Sequence, residues 1–303
     1  MTSSRSLLFL TIASLTLIYS ACTSNPDPVH SDVVLDSALL GTKKYAFTYQ
    51  QGDKTVISSA DTIHQVSFGG ATHPAIAPDG LKVAYTVKDS AGHQGIWVAD
   101  LENKSQSQFN LPGTTYDEAI WSPSGNAVSF GVEEKGKAHK VGTVGVDNSA
   151  YLIIDSASQT SLYAATWRTA DELIAHDLTS LYTYRISGEL IKKTSIADLI
   201  GPDYRASVNT RFFYADGGKS LVFNVTGKDG IMAVYVSNLL TKGISRISTE
   251  SLSVSGLFVT FDNRVFFSAA SKPSGTSKIY VSDLKGKVWK ISEQGTDPTA
   301  ANK

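Results

Sequence analysis

An all-β fold, a six-bladed β-propeller of four-stranded antiparallel blades, is predicted by three features of the sequence. A strand, a tight turn and a second strand recur at near-constant spacing. Each recurrence is followed by two further short strands, and four antiparallel strands in about 40–50 residues make one propeller blade. The two chain ends supply complementary parts of one more copy. Composition agrees: among 303 residues there are 24 Gly, 13 Tyr, 12 Phe and 4 Trp, a mixture that favours strands and turns over long helices.

Residues 1–21 read as an export signal. Arg5 supplies the positive start, and Leu7 to Ile18 form an apolar run without a charge. That run is too short to span a bilayer. Tyr19-Ser20-Ala21-Cys22 then resembles a bacterial lipoprotein lipobox, in which small residues precede a cysteine that becomes the lipid-modified N-terminus; Tyr19 departs from the usual aliphatic residue. The resemblance implies lipidation at Cys22 and a membrane partner for the mature chain, since several acyl chains exceed the two-signal requirement for stable anchoring. A second reading is an ordinary secretory signal cut near Ala21, with Cys22 left as a free thiol. Residues 22–41 are polar, carry Pro26 and Pro28, and lack periodicity, as a flexible tether would. The lipoprotein resemblance, with no aspartate directly after Cys22, implies the outer membrane, facing the periplasm.

The propeller is expected over residues 42–303. Its clearest copies are His73-Pro74-Ala75-Ile76-Ala77-Pro78-Asp79-Gly80 leading into Leu81-Lys82-Val83-Ala84-Tyr85, and Asp117 through Gly125 leading into Asn126-Ala127-Val128-Ser129-Phe130. Proline presets φ near −65°, a small polar residue caps the backbone, and glycine takes the φ > 0 position. Weaker copies turn at Asp171, Gly218 and Asn263, so that Gly80, Gly125, Asp171, Gly218 and Asn263 are separated by 45, 46, 47 and 45 residues. Third strands follow at Gly95–Leu101, Met232–Leu239 and Lys278–Leu284, and fourth strands at Gly243–Ser248 and Lys287–Ser292. Lys44–Tyr49 matches a second strand that lacks a first. Gly295–Ala300 repeats a first strand at which the chain stops, so the two termini share a blade and the ring closes with six.

This order of strand, Ser-Pro-Ser-Gly turn, strand, Ile-Tyr-Val-Ser-Asp-Leu and Arg-Ile-Ser resembles the TolB-like, WD-related propeller repeat, most closely over 72–130 and 231–303. The same repeat type is found in prolyl-oligopeptidase-type peptidases and oligogalacturonate lyases. It implies fold more than activity. TolB carries an additional α/β domain before its propeller, and the stretch between Cys22 and Lys44 is too short for one; TolB is also soluble where this chain is expected to be acylated. Its envelope role is therefore not carried over.

Chemistry is sparse. Lys+Arg (27) and Asp+Glu (28) nearly cancel, which argues against nucleic acid as a partner. A serine peptidase of the oligopeptidase type would need a hydrolase domain with a Gly-x-Ser-x-Gly elbow, and none is expected. The histidines His30, His64, His73, His93, His139 and His176 lack metal-site spacing, so neither a metal nor another cofactor is expected. Loops at Asp89, Glu133-Glu134 and Asp229 occupy one blade position and read as hairpin chemistry.

One constellation is generated by the repeat itself. Aligned first strands place His73, Glu118, Ala164, Arg211, Gly256 and Asp297 at equivalent positions where each innermost strand enters the channel. Four of the six are ionisable, so they are expected to crowd one mouth of the tunnel, either as a ligand site or as a mutually satisfied polar lining. The expected function is a lipid-anchored cell-envelope binding or scaffold protein presenting a propeller face to a protein, peptide or glycan. The alternative is a propeller-type lyase or hydrolase of polysaccharide fragments with His73 and Asp297 near its centre.

Overall fold

The computed structural model describes residues 46–302 except 60–62, 67, 69, 114 and 272–274. The expected signal, the tether and Cys22 lie outside the described residues.

Six four-stranded antiparallel sheets make the fold. Blade 1 holds β1 (Phe47–Gln51), β2 (Lys54–Ser58) and β3 (Ile63–Val66), and blade 2 holds β4 (Ala71–Ile76), β5 (Lys82–Lys88), β6 (Gln94–Asp100) and β7 (Ser105–Gln108). Blade 3 comprises β8 (Tyr116–Trp121), β9 (Ala127–Val132), β10 (Lys140–Gly145) and β11 (Leu152–Ile153). In blade 4 are β12 (Tyr163–Trp167), β13 (Glu172–His176), β14 (Ser180–Arg185) and β15 (Leu190–Ser195), followed by a short helix α1 (Ile196–Ile200). Blade 5 is β16 (Phe212–Ala215), β17 (Ser220–Thr226), β18 (Met232–Asn238) and β19 (Ile244–Arg246). Blade 6 is β20 (Ser253–Val259), β21 (Val265–Ala270), β22 (Lys278–Ser282) and β23 (Val288–Ser292), after which β24 (Thr296–Ala300) returns to blade 1.

The last strand closes the ring as the terminal sequence predicts. β24 lies antiparallel to β1, pairing Phe47 with Ala300 and Thr48 with Thr299. The innermost strands β24, β4, β8, β12, β16 and β20 then pack in succession around the axis. Both free edges are paired, which removes a template for aggregation.

Burial follows radial position. The second strands β9 and β21 are buried on both faces, whereas the fourth strand β7 is exposed throughout. Six apolar clusters fill the six gaps between neighbouring blades. Phe266, Phe47 and Ala300, for example, join blade 6 to blade 1. At about 25 cal/mol per Å² of apolar surface removed from water, these gaps are the main source of stability, since the described chain has no disulfide to add. Polar contacts set the angular register of the blades. The Trp121 indole donates to the Ala75 carbonyl of blade 2 (2.8 Å), and the equivalent Trp167 donates to Ile120 of blade 3 (3.0 Å).

The turns between first and second strands behave as the sequence predicts at four of five copies. Gly80, Gly125, Gly218 and Asn263 have φ of +79°, +72°, +85° and +69°. Asp171 does not need a left-handed backbone, because Arg168 and Glu172 close that turn through a backbone bond and a 2.8 Å ion pair. Helix α1 was not predicted from the sequence. Ser195 caps it by accepting from the Asp198 amide, and Ile196, Leu199 and Ile200 plug the gap between blades 4 and 5.

Candidate functional site: the channel mouth

All four ionisable residues of the predicted constellation line one small cavity at the mouth of the central channel, together with Pro74, Ala119 and Thr299. Its free volume is about 10 Å³, room for about one water molecule.

The backbone there departs from regular strand in a repeated way. In β4, β8, β12 and β24 two residues oppose one on the neighbouring strand, a β-bulge at the same place in four blades. His73, Glu118, Ala164 and Asp297 sit in these bulges with φ of +52°, +51°, +50° and +48°. Left-handed backbone at a residue bearing a Cβ costs about 1–2 kcal/mol. Bulges re-aim side chains and are common beside functional sites. In blade 5 the equivalent Arg211 precedes β16 without a bulge, and its amide donates to Asn224 Oδ1 (2.7 Å). In blade 6 the shift falls between Val254 and Gly256.

Residue size at the six positions decides who meets whom. Blades 4 and 6 carry Ala164 and Gly256, and this leaves Arg211 of blade 5 free to reach past blade 4 to Glu118 of blade 3, with Nη2 and Oε1 3.3 Å apart. Its Nη1 also donates to the Leu257 carbonyl of blade 6 (3.3 Å). The Arg211 side chain is 11% exposed and that of Glu118 28%. Burial alone would raise the Glu118 pKa, but Arg211, aided by His73 and His139, outweighs it and holds the carboxyl below its usual value. Burial likewise opposes charge on Arg211, and Glu118 and Asp297 outweigh it, so its pKa is raised.

Two residues that the alignment of first strands did not single out belong to the same cluster. Asp117 is pushed above its ordinary pKa by burial and then by the Glu118 charge, with His139 and His73 pulling the other way. His139 comes from the loop before β10, its Nδ1 donating to the Leu162 carbonyl (2.6 Å) and its ring stacked on Tyr163 at 5.1 Å. Asp117 and His139 converge over Gly131, where an added Cβ would lie 2.0 Å from Asp117 Oδ1 and 3.2 Å from His139 Cε1. Glycine at 131 is thus a signal for this approach. His73 Nδ1 is buried without a hydrogen-bond partner.

The other histidines differ. His176 is fully buried, donates from Nε2 to the Thr210 carbonyl (2.8 Å) and accepts the Leu178 amide at Nδ1, so it is a satisfied core residue. His93 pairs with Asp89 at the surface. Among the described residues, no group of three or more His, Cys, Asp or Glu side chains is arranged to hold a metal ion. Asp89 and Asp229 accept the amides of their own hairpin loops, as predicted for loop chemistry.

No protein-family model and no curated protein matches this sequence. Solved structures do resemble it. TolB from Acinetobacter baumannii superposes with a TM-score of 0.61 at 14% identity, covering 87% of this chain and 68% of that one. A TolB-type structure from Agrobacterium tumefaciens gives 0.57 at 13% identity, covering 86% and 98%. An oligogalacturonate lyase in complex with manganese gives 0.51 at 12% identity, covering 79% and 70%. At these identities the likeness is one of fold. In fold, the chain is a TolB-like six-bladed β-propeller.

Proposed function

We propose that this protein is a cell-envelope binding module, held on a membrane by a lipid at Cys22, whose channel-mouth face engages a protein, peptide or glycan. The carrying observation is the mouth itself: four of its six repeat positions are ionisable, and three of those four stand on left-handed bulges that cost stability. The cavity is too small to admit a chain, so a partner rests on the mouth and competes for the Arg211–Glu118 pair. Carboxyl groups at Asp117, Glu118 and Asp297 outnumber the single guanidinium, which favours a partner that brings hydrogen-bond donors.

The test is crosslinking in the native envelope followed by purification. Recovery of the partner is expected to fall at least about ten-fold when Glu118→Gln, Arg211→Gln and Asp297→Asn are combined, the loss of one charge-assisted bond being worth about that factor. Unchanged recovery overturns the site. A Cys22→Ser protein is expected in the soluble fraction, and its retention with the membrane overturns the anchor.

A second reading, a lyase or hydrolase of polysaccharide fragments, is favoured by one observation. Asp117 and Glu118 are adjacent carboxyls with pKa values pushed in opposite directions, as an acid and base pair requires, beside the unpartnered His73 Nδ1. Release of shortened or unsaturated products from oligosaccharides, lost in Asp117→Asn, would establish it; a stoichiometric divalent ion in purified protein would strengthen it.

A further inference from the structure

On the face opposite the mouth, where first strands turn into second, two exposed turns of blades 5 and 6 depart from the repeat. Three loops between third and fourth strands are closed alike. In Asp100-Leu101-Glu102-Asn103-Lys104, Asn238-Leu239-Leu240-Thr241-Lys242 and Asp283-Leu284-Lys285-Gly286-Lys287 the first side chain accepts two amides of its own loop. The loop therefore does not depend on its third side chain. Blades 2 and 6 place Glu102 and Lys285 there, whereas blade 5 places Leu240, 79% exposed. Blade 6 makes a similar exchange between its first and second strands, where Phe261, 41% exposed, takes the place of Pro78 and Pro123.

Both apolar tips belong to one ridge. Phe261 donates its amide to Asn302 Oδ1 (3.3 Å), the next turn residue Asn263 accepts the Asp216 amide (2.7 Å), and the Lys219 carbonyl accepts the Leu239 amide (2.9 Å). The β22–β23 loop leaves the sheet at the same end, since Val259 pairs with Val265, Val265 with Ser282, and Ser282 with Val288. Around the tips Lys219, Lys242, Lys285 and Lys287 are exposed, and none of them is in an ion pair among the described residues. They outnumber Asp216 and Asp283, and Asp262 is already matched by Arg264. Residues 1–45 join the ring here too: the Ala46 carbonyl accepts the Ala301 amide (2.8 Å), and Lys43 and Lys44 precede it in the sequence.

Apolar tips held on fixed turns among unpaired lysines suit a membrane surface. The apolar side chains enter the boundary between headgroups and acyl chains while the ammonium groups stay with the phosphates. We infer that this face of blades 5 and 6 docks on an anionic lipid surface, with Leu240 and Phe261 entering the headgroup layer and the four lysines meeting lipid phosphates. It lies opposite the channel mouth, and it rests neither on the function proposed for that mouth nor on a lipid at Cys22.

Residues 46–302 hold the closed ring, so a protein of residues 22–303 with Cys22→Ser keeps the fold without the apolar run or a lipid. Its cosedimentation at low salt with vesicles of equal phosphatidylglycerol and phosphatidylcholine, against phosphatidylcholine alone, tests the inference. Binding is expected at about millimolar lipid or below on the anionic vesicles and at least about ten-fold weaker on the neutral ones. Lys242→Gln is expected to weaken it about five-fold, and Lys242→Gln with Lys285→Gln about twenty-five-fold. Leu240→Ser, which leaves the core untouched, is expected to cost about five-fold. Lys104→Gln, at the same loop position across the ring on blade 2, is expected to change binding by less than about two-fold. The inference is overturned if the anionic vesicles do not bind the protein, if neutral vesicles bind it as well, or if the blade 5 and 6 variants leave binding unmoved. It is also overturned if Lys104→Gln weakens binding as much as Lys242→Gln does. A dimer of the protein alone that Leu240→Ser dissolves would assign the ridge to a second copy and overturn it likewise.

Discussion

The two faces of this propeller are built from the same repeat and do opposite things with it. On the face where first strands turn into second strands, the connections are short and fastened to one another. Asn263 accepts the Asp216 amide from the neighbouring turn (2.7 Å), and Asn302 accepts from Phe261 (3.3 Å) while its amide donates to Pro78 (3.1 Å). Arg264, 3% exposed, donates to both oxygens of Asp262 and to the Ala301 carbonyl just past the closing strand. On the opposite face the first strands are bulged and left-handed, ionisable groups converge, and grooves open between loops. Closure is concentrated on one face. The other is left free to carry residues chosen for what they meet.

That contrast can be broken most directly at the closing strand. Deleting residues 296–303 removes the innermost strand of blade 1 together with the Arg264 and Thr299 contacts, and bares the edge of β1. The shortened protein is expected to elute as aggregate in size-exclusion chromatography; a well-behaved monomer would show that the turn face does not hold the ring.

A smaller break is Arg264→Ala, which leaves the Asp262 carboxylate and the Ala301 carbonyl short of donors. Because the Asp262 carboxylate reaches water, the loss is that of the buried hydrogen bonds, about 1–3 kcal/mol, to be read from urea denaturation midpoints. The paired mouth variant Glu118→Gln with Arg211→Gln removes both charges together. It is expected to move the midpoint less than half as far, since the two charges that meet at 3.3 Å go together.

Acid sharpens the comparison, because the mouth face also holds a structural histidine. Burial holds His176 down at about 4, against 6.5 unfolded. Between those values the unfolded chain binds the extra proton, so stability is full above pH 6.5, falls as pH drops and has lost its His176 share by about pH 4. That share is about 3 kcal/mol. Denaturation midpoints of the unmodified protein should therefore decline over this window more steeply than those of His176→Gln. Equal slopes would mean that His176 does not carry the effect.

The smallest expected change lies at an ordinary turn. Gly125→Ala places a Cβ at φ +72° in ordinary van der Waals contact with Pro78 Cδ (3.7 Å) and should cost about 1 kcal/mol by denaturation, with partner binding at the mouth unaffected.

Much of this was legible in the sequence because a repeat specifies register as well as fold. The Pro-Asp-Gly and Pro-Ser-Gly turns mark where first strands end, and counting back from Gly80 and Gly125 leads to His73 and Glu118. Those two face the channel as the count predicts, and Arg211 and Asp297 join them at the same cavity. The count did not show that Arg211 would bypass blade 4 to reach Glu118, since that depends on Ala164 being small in space rather than in sequence. Asp117 and His139 escaped for a related reason: 22 residues separate them, and Gly131, a third residue, is what lets them meet. The short β11 and helix α1 were equally unreadable, because their residues are selected by the gap they fill.

By itself, the sequence determined the number of blades, the shared blade at the termini, the turn residues and the candidate anchor at Cys22. Each of these is local chemistry or periodicity, written in consecutive residues. The tertiary structure alone decided which ionisable groups pair across the channel and that four first strands bulge at one shared position. Those depend on distances between strands from different repeats, which the closed ring sets and the chain order does not.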